Sequence, residues 1–156
     1  MASELRVDKI IPTSGVPTGG GGGIIQVIHD TSSTESSTSS GSYVTTGLSL
    51  NITPKFSTSK ILVIFNLPLQ SGAHNLRAAV GLHRGGSQIY LAQRESLFNN
   101  SSSNNSETVS GMFLDSPATT SAVTYDVRVR VSGGSGTFYW AVSSTVCTIT
   151  AMEVSA

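Results

Sequence analysis

Seven carboxylates lie beyond the first few residues of the chain, at Asp30, Glu35, Glu95, Glu107, Asp115, Asp126 and Glu153. Two of them facing one another across a sugar ring would cleave a glycosidic bond. No motif surrounds any pair, and their scatter gives that chemistry no support. Trp140 offers a face on which a sugar can stack, but the alternation Phe138, Trp140, Val142 reads as the buried side of a strand. The histidines are His29, His74 and His83. None stands two or four residues from another, the spacings that build a local metal site. His29 beside Asp30 would bind a metal only where several copies meet on a symmetry axis. A strand-end histidine facing solvent or a neighbour is the plainer reading. Serine is abundant, yet no G-x-S-x-G elbow occurs, and Gly133–Gly136 joins two strands where an elbow needs a strand-to-helix turn.

One feature of spacing remains, the run Gly19, Gly20, Gly21, Gly22 and Gly23. A phosphate-binding loop needs a Lys-Ser/Thr pair and a following helix, whose N-terminal amides face the anion. Here a β-pattern begins at Ile24. The glycines read as a hinge, or as a place where backbones pack closely at a symmetry axis. No catalytic residue, cofactor or metal is expected, and the chain does not read as an enzyme. A carbohydrate-binding or polysaccharide-degrading module is the weaker alternative.

The elements that would position these residues are strands. The chain has 156 residues, enough for one domain and a tail. Nine acidic and nine basic residues cancel, and charged residues make up 12%. A neutral chain has no electrostatic pull toward nucleic acid or an anionic membrane, so neither is an expected partner. Ser and Thr exceed a quarter of the residues. A slightly positive mean hydropathy and β-branched runs nevertheless predict a folded body. Uncharged Thr-rich sheets suit contact with other subunits, because burying a hydroxyl costs far less than burying a charge. The lone Cys147 excludes an internal disulfide and reads as a small buried hydrophobe. No apolar run reaches the length of a membrane span. Glu4 and Asp8 interrupt any signal-peptide core, so a cytosolic product is expected, and the N-glycosylation match at Asn51 carries no weight.

Two parts are expected: an arm with its hinge at residues 1–23, and a β-sandwich domain at 24–156. The arm sets out Leu5, Val7, Ile10 and Ile11 without a clear period, and Pro12 and Pro17 forbid a continuing helix. Extended, it reaches about 75–80 Å. In the body, strands are predicted at 24–29, 44–52, 61–69, 77–83, 88–92, 108–114, 125–131, 138–142 and 146–154. Residues 31–42 and 99–106 read as loops. The 61–69 strand is apolar on both faces apart from Asn66, as in a strand covered on two sides. In the 125–131 strand, Tyr125, Val127, Val129 and Val131 face inward, and Asp126, Arg128 and Arg130 outward. Gly85-Gly86 signals a tight hairpin. The fold class is all-β, an antiparallel sandwich of jelly-roll type.

Three stretches carry a family likeness. SELRVDKIIPTSGVPTGGGGG (Ser3–Gly23) running into Ile24–Val27 resembles the N-terminal segment of small virion proteins of tailed phages, particularly those infecting cyanobacteria. Gly47–Pro54 with Ser59–Val63, and Met112–Thr120 with Ile149–Val154, are similar to the body of that group. The resemblance implies a virion protein assembled in the host cytoplasm, of tail-fibre type, and a homotrimer with a β-sandwich head. It further implies that Leu5, Val7, Ile10, Ile11 and Pro12 anchor the arm on tail, baseplate or capsid proteins, and that Ile24, Ile25 and Val27 lie between subunits. Outer loops with His74, Asn75, Asn99, Asn100, Asn104 and Asn105 would then face a host glycan or protein. A capsid decoration, cement or head-fibre protein is the alternative within the same setting. The chain has no heptad or β-helical repeat, so it would form a stub or knob, not a shaft.

Overall fold

The computed structural model describes residues 23–73, 75–96 and 105–155. Ten strands follow one another: β1 (Ile24–Ser32), β2 (Ser36–Thr38), β3 (Val44–Ile52), β4 (Lys60–Ser71), β5 (Arg77–Arg84), β6 (Ser87–Ser96), β7 (Asn105–Asp115), β8 (Val123–Gly133), β9 (Phe138–Trp140) and β10 (Cys147–Val154). Every pairing is antiparallel. The first sheet holds six strands and the second four, in the order β3-β8-β5-β6.

The six strands of the first sheet form four ranks. On one side β4 pairs along its whole length with β7. On the other side it pairs with β10 and then, further along, with β9. β1 pairs β10 and β2 pairs β9, so β1–β2 and β9–β10 are each one strand broken in the middle. Both breaks fall side by side, and the Ser143 N–H donates to Glu35 Oε2 across them at 3.3 Å. Counting each broken strand once, the first sheet reads first–eighth–third–sixth and the second reads second–seventh–fourth–fifth. That connectivity is the jelly roll. The expected all-β sandwich is what the chain forms.

Alternation explains how the sheets meet. β4 turns Ile61, Val63, Phe65, Leu67 and Leu69 inward, and β8 turns Tyr125, Val127 and Val129 against them. Leu48, Leu50 and Ile52 of β3 and Ala78, Val80 and Leu82 of β5 complete the layer. Trp140 is 2% exposed and belongs to this core. Its indole N–H donates to the Thr46 carbonyl at 2.9 Å, from the first sheet to the second. That carbonyl is free because β3 is irregular there, between Thr45 and Ser49. Gly47 takes a φ of 79° at the irregularity, a conformation that costs glycine little. The Thr46 hydroxyl donates to the Val127 carbonyl at 2.8 Å. Cys147 is buried, as its pattern predicts. Gly85-Gly86 turns the β5–β6 hairpin with both φ values positive, the requirement of a two-residue hairpin turn.

Four expectations need correction. Residues 31–42 are not all loop: β1 continues to Ser32, and β2 pairs with β9 through Ser36–Thr38. Their Ser/Thr composition hides a strand whose side chains need little burial. The β9 strand stops at Trp140, because Ala141, Ser143 and Ser144 all take positive φ in a single 3-10 turn around Val142. Val131 is only half-buried at the rim. Finally, β4 is covered on one side only. Leu62 and Ile64 stay half-exposed on its outer face, and nothing among the described residues lies over them.

Val129 is fully buried between the sheets. Val129→Asp buries an unpaired carboxylate at a cost of about 4 kcal/mol or more, comparable with the whole stability of a small domain. The variant should give no cooperative thermal transition by circular dichroism. A wild-type melting curve would show that Val129 does not face the core.

Candidate functional site

The sandwich has two poles. At one, β1 begins, β10 ends, and the connections 53–59, 85–86 and 116–122 turn. At the other, β4 ends in Ser71, β7 begins in Asn105 opposite it, and the connections 72–76 and 134–137 turn. β4 alone spans 12 residues, so the poles are about 40 Å apart. Gly23, at the arm's root, lies at the first pole, and Asn75 with the strand ends Ser96 and Asn105 that flank 97–104 lies at the second.

At the arm's root one carboxylate gathers three segments: β10, β1 and the 53–59 loop. Glu153 of β10 is fully buried. Its Oε1 accepts the backbone N–H of Lys55 at 2.7 Å and of Phe56 at 3.4 Å. Its Oε2 accepts from Gln26 Nε2 at 2.5 Å, and the same amide donates to the Thr53 carbonyl at 2.7 Å. Beside this clasp the Ser155 N–H donates to the Gly23 carbonyl at 3.0 Å. Burial alone would raise the Glu153 pKa. The hydrogen bonds from Gln26, the influence of the nearby Ser59 hydroxyl and the two backbone N–H groups outweigh it, and the carboxyl titrates below its usual range. The Ser59 hydroxyl is itself buried without a partner in hydrogen-bonding geometry. Gly23, Gln26, the 53–59 loop and the chain end are therefore held in one place.

A second carboxylate at the same pole joins the two sheets. Asp115, at the end of β7, accepts both contacts of Arg84 Nη1, at 2.9 and 2.7 Å, and the Tyr125 hydroxyl at 2.6 Å. Burial, then the bond to Asp115, drives the Tyr125 pKa up, so the phenol stays protonated and donates. Neither carboxylate faces a second acid across a cleft, the arrangement that sugar hydrolysis needs. Both are taken up in structural bonds.

The outer face of the second sheet carries the charges. Arg128 donates to Asp126, and the Arg130 guanidinium lies 5.3 Å from the Tyr43 ring centre. The Tyr43 ring meets buried His83 edge-on at 4.9 Å. Burial is the main cause that lowers the His83 pKa, so its imidazole is neutral at pH 7. His29 is exposed on β1 and shares a 2.8 Å hydrogen bond with the Thr150 hydroxyl. Among the described residues, no three His, Cys, Asp or Glu side chains cluster closely enough to hold a metal ion. No described helix is long and apolar enough to cross a membrane.

Of the residues singled out from sequence, Leu5, Val7, Ile10, Ile11, Pro12, Gly19, Gly20, Gly21, Gly22, His74, Asn99, Asn100 and Asn104 lie outside the described residues. Ile24 and Val27 are exposed on β1, at 60% and 53%, and Ile25 is half-buried. Asn75 is exposed in a turn with φ 55°. Ser71, Asn105 and Ser106 are not loop residues: Ser71 is buried at the end of β4, and the other two open β7. A pocket of about 410 Å³ opens near that pole between β4, β7 and the 3-10 turn, lined by Pro68, Gln70, Ser106, Glu107, Ser143 and Thr145 among others. It offers hydroxyls and amides for hydrogen bonding. Sequence reasoning missed the clasp: Glu153 alternates with Met152 and Val154 in an apolar strand, and a charge at an inward position was the available signal.

No protein-family model and no curated protein matches the chain. Among solved structures, infectious bursal virus derived T=1 particles share 12% identity at a TM-score of 0.43, over 94% of this chain and 41% of the other. The infectious bursal disease virus VP2 subviral particle shares 15% at 0.42, over 94% and 42%. The Gx strain of infectious bursal disease virus shares 13% at 0.44, over 92% and 44%. The chain spans less than half the length of these proteins, and likeness at this level has no bearing on its function.

The depressed Glu153 pKa fixes a sign. An unfolded glutamate titrates near ~4.3, so the clasp stabilises the fold fully above that range and loses its effect as pH falls toward the lower folded value. Between about pH 6 and about pH 3, the melting temperature of the wild type should drop more steeply than that of Glu153→Gln, which starts about 1–3 kcal/mol less stable. Parallel slopes would exclude Glu153 as an acid-sensitive clasp.

Proposed function

We propose that the protein is a structural component of a tailed-phage virion: a short tail-fibre-type subunit whose N-terminal arm docks on the particle and whose far pole faces the host. One observation supports this reading above the rest, the polarity of the body. The arm's root is clasped at one pole by Glu153 and Gln26, while the turn with Asn75 and the strand ends flanking 97–104 sit at the other. An adaptor between a particle and an external surface needs its two contacts at opposite ends. The apolar residues Leu5, Val7, Ile10 and Ile11 supply the docking side, and the body is a homotrimer. Its role is binding and not catalysis.

A capsid decoration protein would use the same arm to staple neighbouring subunits, and would need copies on the order of hundreds per particle to cover a shell lattice. Quantitative gel analysis of purified particles separates the two, with a few to some tens of copies expected. Deleting residues 1–23 should leave a folded, soluble body that no longer joins the particle. Incorporation of the truncated chain at wild-type level would sink the anchoring role. Release of sugar from host envelopes by the purified protein would overturn the non-catalytic reading.

A further inference from the structure

The outer face of the first sheet is laid out for another protein layer. In register across β1, β10, β4 and β7 stands the apolar row Val27, Met152, Leu62, Leu114. The next row brings Ile64 beside Met112. Met112 is 64% exposed, Val27 53% and Leu114 49%. These are large apolar side chains side by side on one surface, and contiguous patches of this kind mark interaction sites.

Much of the polar remainder of the face is hydrogen-bonded within its own plane. His29 bonds Thr150, Asn66 donates to Thr148 at 3.3 Å, and Ser110 donates to Asn66 at 2.6 Å. Gln70 donates to Ser106 at 3.3 Å. A covering layer would therefore strand few donors or acceptors, which is the main cost of burying polar groups. By alternation, no carboxylate of β1, β10, β4 or β7 points along this face between these rows, and Lys60 stands at its margin. The second sheet is different, since its outer face holds Asp126, Arg128 and Arg130.

We propose that this face packs against a second copy of the chain and is the surface through which the body oligomerises. This deepens the homo-oligomer part of the function proposed above. Charge favours a second copy as the occupant. A face with no carboxylates can be buried against another copy of this neutral chain without like-charge repulsion between carboxylates, and it offers nothing to steer an oppositely charged partner. Size points the same way. Four ranks spaced about 4.8 Å, over about twelve residues of about 3.3 Å, make a face of roughly 750 Å². A standard interface takes about 800 Å² from each partner. One extended pass of the arm would cover about one rank of four.

The test uses the full-length chain carrying Met112→Glu and Leu114→Glu, both at exposed positions where a charge leaves the core intact. By sedimentation, the wild type should be an oligomer, and the double variant a monomer with the same circular dichroism. In the wild type, peroxide oxidation of Met112 and Met152 should slow several-fold as protein concentration rises through the assembly range. A monomeric wild type, or a variant that stays oligomeric, would overturn the assignment. Protection of both methionines independent of concentration would place the arm of the same chain on the face, and would overturn it as well. Dissociation by Arg128→Glu and not by the double variant would move the interface to the second sheet. None of these outcomes touches the virion reading, which rests on copy number and incorporation.

Discussion

The structure depends on where β4 can sit. A strand that is apolar on both faces must have paired neighbours on both edges and a covering layer on both sides. The fold supplies the edges with β7 and with β10 and β9, and one side with the inner face of the second sheet. The rest of the jelly roll follows from closing that layer around Phe65, Leu67, Tyr125 and Trp140. On the other side Leu62 and Ile64 stay half-buried, with no described strand laid over them.

This unequal use of the two sheets separates their roles. The second sheet handles water: its outer charges pair with one another, and Tyr43 and Arg130 shield the buried His83. The first sheet has few charges to spend on hydration and bonds its threonines, serines and Asn66 within the face. The two outer faces thus differ in kind: one carries paired charges, the other apolar rows and short polar side chains.

Of the three buried carboxylates among the described residues, Asp115 and Glu153 sit at the same pole and do related work. Asp115 ties β7 to β5 and β8, locking sheet to sheet. Glu153 ties β10 to β1 and to the 53–59 loop. A buried charge is costly unless several donors meet it, so each of these acids holds its neighbours in one arrangement. That arrangement fixes Gly23, the start of β1 and the 53–59 loop against one end of the sandwich.

Much of this was legible from residue order alone. The alternation in 44–52 and 125–131 specified strands and their inward faces, the apolar run 61–69 specified a strand but not which face turns inward, Gly85-Gly86 specified a hairpin, and the absence of helical periodicity specified an all-β body. These are local properties, set by the two-residue repeat of a strand. What alternation cannot encode is which strands become neighbours. The breaks that split β1 from β2 and β9 from β10, the meeting of Glu153 with Gln26 and Lys55, and the exposure of Leu62 and Ile64 all depend on contacts between residues far apart in the chain. Spacing alone gave Asp115 and Glu153 no role, and only pairing shows the donors each one gathers. The sequence by itself determined that a β-sandwich forms and which side chains fill it. Only the tertiary structure decided that Gly23 and the strand ends Ser96 and Asn105 stand at opposite poles, because register and strand order, and not composition, place the ends of a sheet.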